Sequence, residues 1–174
     1  MTRSYSAALP IAYVVLRILI VLNWLYGAAI FGLVCFTFVN EAWFMKAIDV
    51  PSGTDAQPIM TGLRAIAAFG LMAVPLNHIV LTRLRRIVET VGRGDPFVAS
   101  NAYRLRTIAW ALLGLQLLSL VIGGIGEAIS SREFPLHLDA GFSVSGWLAV
   151  VLTFVLARVF AEGALLRDDL EGTV

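Results

Sequence analysis

The polar and apolar positions of this chain do not alternate with a period of 2, so a β-barrel is not expected. They gather into long apolar blocks set between short charged stretches. The first block is ILIVLNWLYGAAIFGLVCFTFV, Ile18 to Val39, and the second is AIAAFGLMAVPLNHIVLT, between Arg64 and Arg83. The third is TIAWALLGLQLLSLVIGGIG, Thr107 to Gly126, and the fourth is AGFSVSGWLAVVLTFVLA, between Asp139 and Arg158. A helix needs about 20 predominantly apolar residues to cross a hydrocarbon layer about 30 Å thick. The blocks therefore predict four membrane-spanning helices over about 18–39, 65–82, 107–126 and 140–157. At 18 residues the second and fourth are short, and they reach across only if Arg64, Arg83 and Arg158 extend to the headgroups. The fold class is all-α, a single integral membrane four-helix bundle. The first block is too long for the apolar core of a secretory signal, Arg17 interrupts its start, and no small-x-small cleavage site follows. It is expected to be an uncleaved first helix.

Composition supports this picture. Of 174 residues, 59% are hydrophobic and 14% charged, and the mean hydropathy is +0.84. A soluble domain would have to expose much of that excess to water. A lipid bilayer is the expected surrounding. Cys35 is the single cysteine, so neither an internal disulfide nor a cysteine-based zinc cluster can form. Inside the first block it is expected to be a small packing residue.

Charge then supplies direction. Four crossings put both termini and the 83–106 loop on one side, with Arg3, Arg17, Arg83, Arg85, Arg86, Arg93, Arg104, Arg106, Arg158 and Arg167. Lys46, Arg64 and Arg132 fall on the other. Short loops rich in Lys and Arg stay in the cytoplasm. A bacterial inner-membrane protein with cytoplasmic N- and C-termini is the expectation, with a cytoplasmic tail over 158–174.

The 83–106 loop carries six arginines against Glu89 and Asp95. Leu84, Ile87, Val88 and Val91 share one helical face, so the second helix should continue to about Val91, where Gly92 and Gly94 stop it. Asp95 and Pro96 are suited to N-cap and first-turn positions of a new helical segment, to which Phe97 and Val98 give an apolar spot. Two readings stand side by side: a docking surface of Arg85, Arg86, Arg93, Pro96, Phe97, Arg104 and Arg106, or plain anchoring of the arginines on anionic headgroups. Direct nucleic-acid binding is not expected, because no stacking aromatics interleave the charges. The tail has the opposite sign, with Glu162, Asp168, Asp169 and Glu171 against Arg167, and its acidic residues could lie against the arginine loop.

Within the blocks, Asn77, His78 and Gln116 are the notable polar groups, with Pro75 three residues before His78. Ionisable groups in a span are functional candidates, whereas a neutral imidazole bonded across the bundle is the structural alternative. Small-x-x-x-small pairs at Ala28/Gly32, Ser119/Gly123 and Ser145/Ala149 permit close helix approach. Glu41, Glu127, Glu133 and Asp139 lie at the outer ends and are expected to be solvated. His137 is the only other histidine, and no metal-ligand spacing, nucleotide loop or nucleophile–base arrangement is present. No catalytic, cofactor-binding or metal-binding residue is assigned, and an enzyme is not expected.

The turn Gly94, Pro96, Phe97 ahead of YRLRTIAW, and the ending with Phe160, Gly163, Leu166, Asp168, Asp169, Thr173 and Val174, resemble a DUF2975-like family of small four-span bacterial membrane proteins of unknown function. The resemblance covers about residues 60–174 closely and the first helix only in general character. It carries no activity or catalytic residues. It implies a gene often placed beside a Cro-repressor-like helix-turn-helix regulator, and hence a cytoplasmic regulator as partner. The expected function is to bind or modulate that regulator. The competing readings are a small transporter or channel subunit working as a homo-oligomer around Asn77, His78 and Gln116, and a structural subunit of a membrane complex.

Overall fold

The computed structural model describes residues 8–48, 56–130, 135–136 and 138–171. They form five helices, α1 (Ala8–Val39), α2 (Glu41–Ala47), α3 (Ala56–Gly92), α4 (Ala99–Ile129) and α5 (Val144–Glu171), and no strand. Four of these are long and apolar enough to cross a membrane. Arg3, Pro51 to Gly53, Arg132, Glu133, His137, Thr173 and Val174 lie outside the described residues.

The four long helices run up and down in sequence, and the main packing contacts are α1 on α3, α3 on α4 and α4 on α5. Among the described residues α1 and α5 share no comparable interface, so each closes one end of the row. The α1 surface shows this directly. Between Val14 and Val39 the only positions not exposed are Leu16, Ile20, Asn23, Gly27, Ile30, Val34 and Thr37. Their alternating steps of four and three make one narrow seam, the spacing by which one helix meets a single neighbour. The rest of that stretch, including Cys35, is uncovered. Exposed Val14, Leu22, Trp24, Phe31 and Phe38 would be unfavourable in water and are at home in lipid. Cys35 is thus a surface residue of the helix, not the packing residue expected.

Small residues set the closeness of each interface. A Cβ on Gly27 would lie 3.0 Å from a methyl of Val74, one on Gly114 3.1 Å from Leu76, and one on Gly62 2.5 Å from Ile129. Of the small-residue pairs in the sequence, Ser119/Gly123 is used. The Ser119 hydroxyl receives the Gly141 N–H at 3.1 Å and lies 3.2 Å from the Gly141 carbonyl, while the backbone at Ala140–Gly141 covers Gly123. Gly141 adopts φ +125°, open to glycine and strained for other residues. Ala28/Gly32 and Ser145/Ala149 are not packed: Gly32 has open space beside it, and the other three are exposed.

Two of the short blocks become long helices. At 1.5 Å per residue, α3 measures roughly 55 Å and α5 roughly 42 Å, well beyond a hydrocarbon layer of about 30 Å. The stretch over 83–106 is therefore not a loop but the end of α3, a turn over 93–98 and the start of α4. Most of the 158–174 tail continues α5 as helix, and α1 begins ten residues before the apolar block, at Ala8. At the opposite end α2 adds a short helix, with the Asn40 side chain accepting from Trp43 N–H at 3.2 Å.

Arg64 does not need a headgroup. Its guanidinium turns back onto the last turn of α1, donating to the Thr37 carbonyl at 2.7 Å and to Glu41 at 3.1 Å, and it lies 4.3 Å from the centre of the Phe38 ring. A cation at carbonyls left open by a helix end is favourable. Glu41 is accordingly paired with Arg64, where free solvation had been expected.

Two neighbouring glycines separate packing from propensity. Gly123→Ala places a methyl 2.7 Å from the Gly141 Cα, and backbone there must move. Gly124 has open space beside it. In thermal unfolding of the detergent-solubilised protein, Gly123→Ala is expected to cost about 1–3 kcal/mol, and Gly124→Ala to be neutral or stabilising by up to about 1 kcal/mol. Equal effects at both positions would remove the seat assigned to Gly141.

Candidate functional site at the arginine-rich end

The arginine-rich end is assembled from three helices around the 93–98 turn. α3 closes with a Schellman arrangement: Asp95 N–H reaches the Thr90 carbonyl at 3.1 Å and Gly94 N–H the Val91 carbonyl at 3.0 Å. Gly94 takes φ +88°, the left-handed position that such a cap requires. α4 then starts from Val98, which has no side-chain cap, rather than from Asp95. The expected N-cap is not formed: Asp95 lies three residues ahead of Val98, its N–H closes α3, and its carboxylate has another partner. It accepts from Arg167 of α5 at 2.7 Å. The tail does lie against the turn, with the Arg167 cation on the Asp95 anion.

Asn101 holds this end together, and the sequence reading passed over it. It has no exposed surface. Its amide donates to the Thr90 hydroxyl at 2.7 Å and to the Pro96 carbonyl at 2.8 Å, and its oxygen accepts from Arg104 at 2.7 Å. One side chain thus ties the end of α3, the turn and the first turns of α4. A buried amide is tolerable only when so satisfied. The signal available in sequence was a lone Asn between apolar-facing positions, at the same helical spacing as Leu105 and Ile108.

The motif residues of the turn and of the C-terminal segment meet here. Phe97 packs against Phe160 with ring centres 5.1 Å apart, and Gly163 makes room for it, since a Cβ there would lie 2.9 Å from the Phe97 ring. Below them Ile87, Leu105, Ile108 and Ala157 form the buried cluster that joins α3, α4 and α5.

The arginines divide into two sets. Arg104 serves the fold through Asn101 and the Arg86 carbonyl, 3.4 Å away. Arg85 lies 3.5 Å from Glu89 and 5.8 Å from the centre of the Tyr13 ring on α1. That ion pair is too poorly aligned for a hydrogen bond, and Arg85 Nε is buried without one. Arg86, Arg93 and Arg106 are exposed, and their guanidiniums have no hydrogen-bond or ion-pair partner among the described residues. Asp169 is exposed on α5, and Asp168 belongs to the same helix, though its side chain lies outside the described set.

The polar residues within the spans do not converge. Trp24 of α1 donates its indole N–H to His78 Nδ1 at 3.1 Å, and Asn23 donates to the Val74 carbonyl, just before Pro75, at 3.0 Å. An indole can only donate, so Nδ1 of His78 is the unprotonated nitrogen of that pair. Asn77 also faces α1, lining a shallow groove with Asn23 and Tyr26. Gln116 faces the other way, its amide lying over Gly146 of α5. Its Oε1 and the Trp147 Nε1 are both buried and unbonded. Among the described residues no three His, Cys, Asp or Glu side chains could hold a metal ion together.

The energetic ranking of this end is testable. Asn101→Ala removes three hydrogen bonds at a fully buried position, to the Thr90 hydroxyl, the Pro96 carbonyl and Arg104, and is expected to lower stability by at least about 2 kcal/mol. Asp95→Asn breaks a pair whose side chains are 41% and 51% exposed, and should cost under about 1 kcal/mol. Thermal or denaturant unfolding of both variants decides the order; the reverse order would make the Arg167 contact, not Asn101, the main tie.

Comparison with known proteins adds a single finding. Neither a curated protein nor a solved structure matches the chain significantly. The model of one family, described as a protein of unknown function (DUF2975), matches residues 12–174. The match includes α1 from residue 12 onward, beyond the 60–174 stretch that the resemblance covers closely, and this multi-pass membrane protein belongs to the DUF2975 family.

Proposed function

We propose that this protein is a non-enzymatic docking protein of the bacterial inner membrane, with both termini and the arginine-rich end in the cytoplasm, where it binds a soluble helix-turn-helix regulator. The observation that carries the reading is the division of the arginines. The turn is already tied to α3 and α4 by Asn101, and to α5 by Phe97–Phe160 and Arg167–Asp95, yet Arg86 and Arg93 remain exposed and unpaired among the described residues. A fixed surface carrying unspent positive charge binds with little ordering cost and favours an acidic partner surface. Phe97, 43% exposed, supplies an apolar contact beside it. The excess of arginine at this end supports the cytoplasmic orientation, and the family resemblance supports the choice of a regulator encoded beside the gene.

Arg104 and Arg85 are poor probes of the partner, because both contribute to the fold. Arg86→Glu with Arg93→Glu is the suitable pair. In a pull-down or bacterial two-hybrid assay against the adjacent regulator, this variant is expected to weaken binding by about tenfold or more, while Asp169→Asn leaves it unchanged. Undiminished binding by the correctly inserted Arg86→Glu/Arg93→Glu protein would exclude this surface. A reporter fused at Gly94 is expected to give a cytoplasmic signal, and a periplasmic one would overturn the orientation.

A further inference from the structure

Between α4 and α5 the arginine-rich end opens into a cleft of about 460 Å³ lined by Ala102, Tyr103, Arg106, Phe154, Ala157, Arg158 and Ala161. Its floor is small, from three alanines, and its rim is cationic. Arg106 and Arg158 are the residues that directly bound the apolar blocks of their two helices, so both guanidiniums stand where hydrocarbon gives way to headgroups. Arg106 has no partner among the described residues. Arg158 gives only its Nε to Glu162, at 2.8 Å, through side chains 78% and 58% exposed. Such a pair contributes little, and it leaves the two terminal nitrogens of the guanidinium free to donate. A third cation stands near, with Arg83 lying 5.9 Å from the centre of the Tyr103 ring. On the apolar side of the cleft, Trp110 meets Phe154 edge to face at 5.4 Å and is itself 57% exposed.

Cations at the headgroup level, a shallow alanine floor and an aromatic pair one turn deeper match the parts of one molecule. We infer that this cleft is a specific site for an anionic glycerophospholipid, its phosphate held between Arg106 and Arg158 and one acyl chain laid along Phe154 and Trp110. The charge favours an anionic over a zwitterionic headgroup, because each guanidinium is set against a net negative group and meets no compensating ammonium. The site is distinct from the Arg86 and Arg93 surface and does not depend on any regulator.

Native mass spectrometry of the full-length protein released from detergent with phosphatidylglycerol or phosphatidylcholine tests it. The wild type is expected to retain one phosphatidylglycerol and little phosphatidylcholine. Arg106→Gln with Arg158→Gln should lower retention of phosphatidylglycerol by about tenfold or more. Arg86→Gln with Arg93→Gln removes the same charge elsewhere and should leave retention unchanged. Ala161→Phe fills the floor while keeping both arginines, and is expected to lose the lipid as well; it stands in if the arginine variant does not fold. Equal retention of the two lipids by the wild type, equal loss in both arginine pairs, unaltered retention on filling the floor, or displacement of the lipid by millimolar inorganic phosphate would each overturn the assignment.

Discussion

Lipid gives helices no hydrophobic reason to associate, because acyl chains are as apolar as leucine. What joins this chain is therefore shape at small residues, completed by a few polar bonds that have no better partner in a bilayer. The α1–α3 interface shows both terms within five residues of α1. Gly27 lets Val74 approach, Asn23 donates to the carbonyl before Pro75, and Trp24 donates to His78. Pro75 withholds an N–H from its own helix, and Asn23 donates to the carbonyl of the preceding Val74. The α4–α5 interface repeats the shape term at Gly146 beneath Gln116 and at Gly123 beneath Gly141.

Beyond the apolar blocks the balance changes, and polar bonding takes over as the organising interaction. The ends of α3 and α4 continue past the hydrocarbon as helix, so the turn between them is short and its backbone groups must be satisfied locally. The Schellman closure at Gly94 deals with the α3 carbonyls, and Asn101 deals with Thr90, Pro96 and Arg104 at once. α5 is fastened to this turn by an aromatic contact in the notch at Gly163 and by one exposed ion pair. The buried contact carries more weight than the pair, whose charges are largely screened by solvent.

These two regimes explain what could be read from the residues alone. The number of long helices was legible because apolar length is the property that a bilayer demands. Which face of each helix packs was not legible, because α1 is apolar all round and its seam differs from its lipid face only in the positions of Gly27, Asn23 and Thr37. Ser119/Gly123 and Ala28/Gly32 look alike as sequence; only the first has a backbone segment returning to it. At the arginine-rich end the stop after α3 was visible in its glycines, but the partner of Asp95 was not. Arg167 is 72 positions away, and no local rule anticipates a carboxylate leaving a helix start for a distant guanidinium. Tertiary competition of that type also hid Asn101, whose value lies in three partners that local pattern does not bring together.

The arginines collected at one end can then be sorted by what each already holds. Arg104 completes the bonding of Asn101, Arg167 joins α5 to the turn, and Arg85 is stacked near Tyr13. These are the cations that the fold uses. Arg86 and Arg93 stand beyond the apolar blocks at the end of α3, whereas Arg106 and Arg158 flank the apolar blocks of α4 and α5. The same charge placed at these two depths has different partners available. At the headgroup boundary it meets phosphate in an environment where the aromatic and alanine surfaces of α4 and α5 select how that phosphate sits. Farther out it meets water and whatever soluble surface approaches, and there only shape fixed in advance distinguishes one acidic partner from another. The rigid turn supplies that fixed shape.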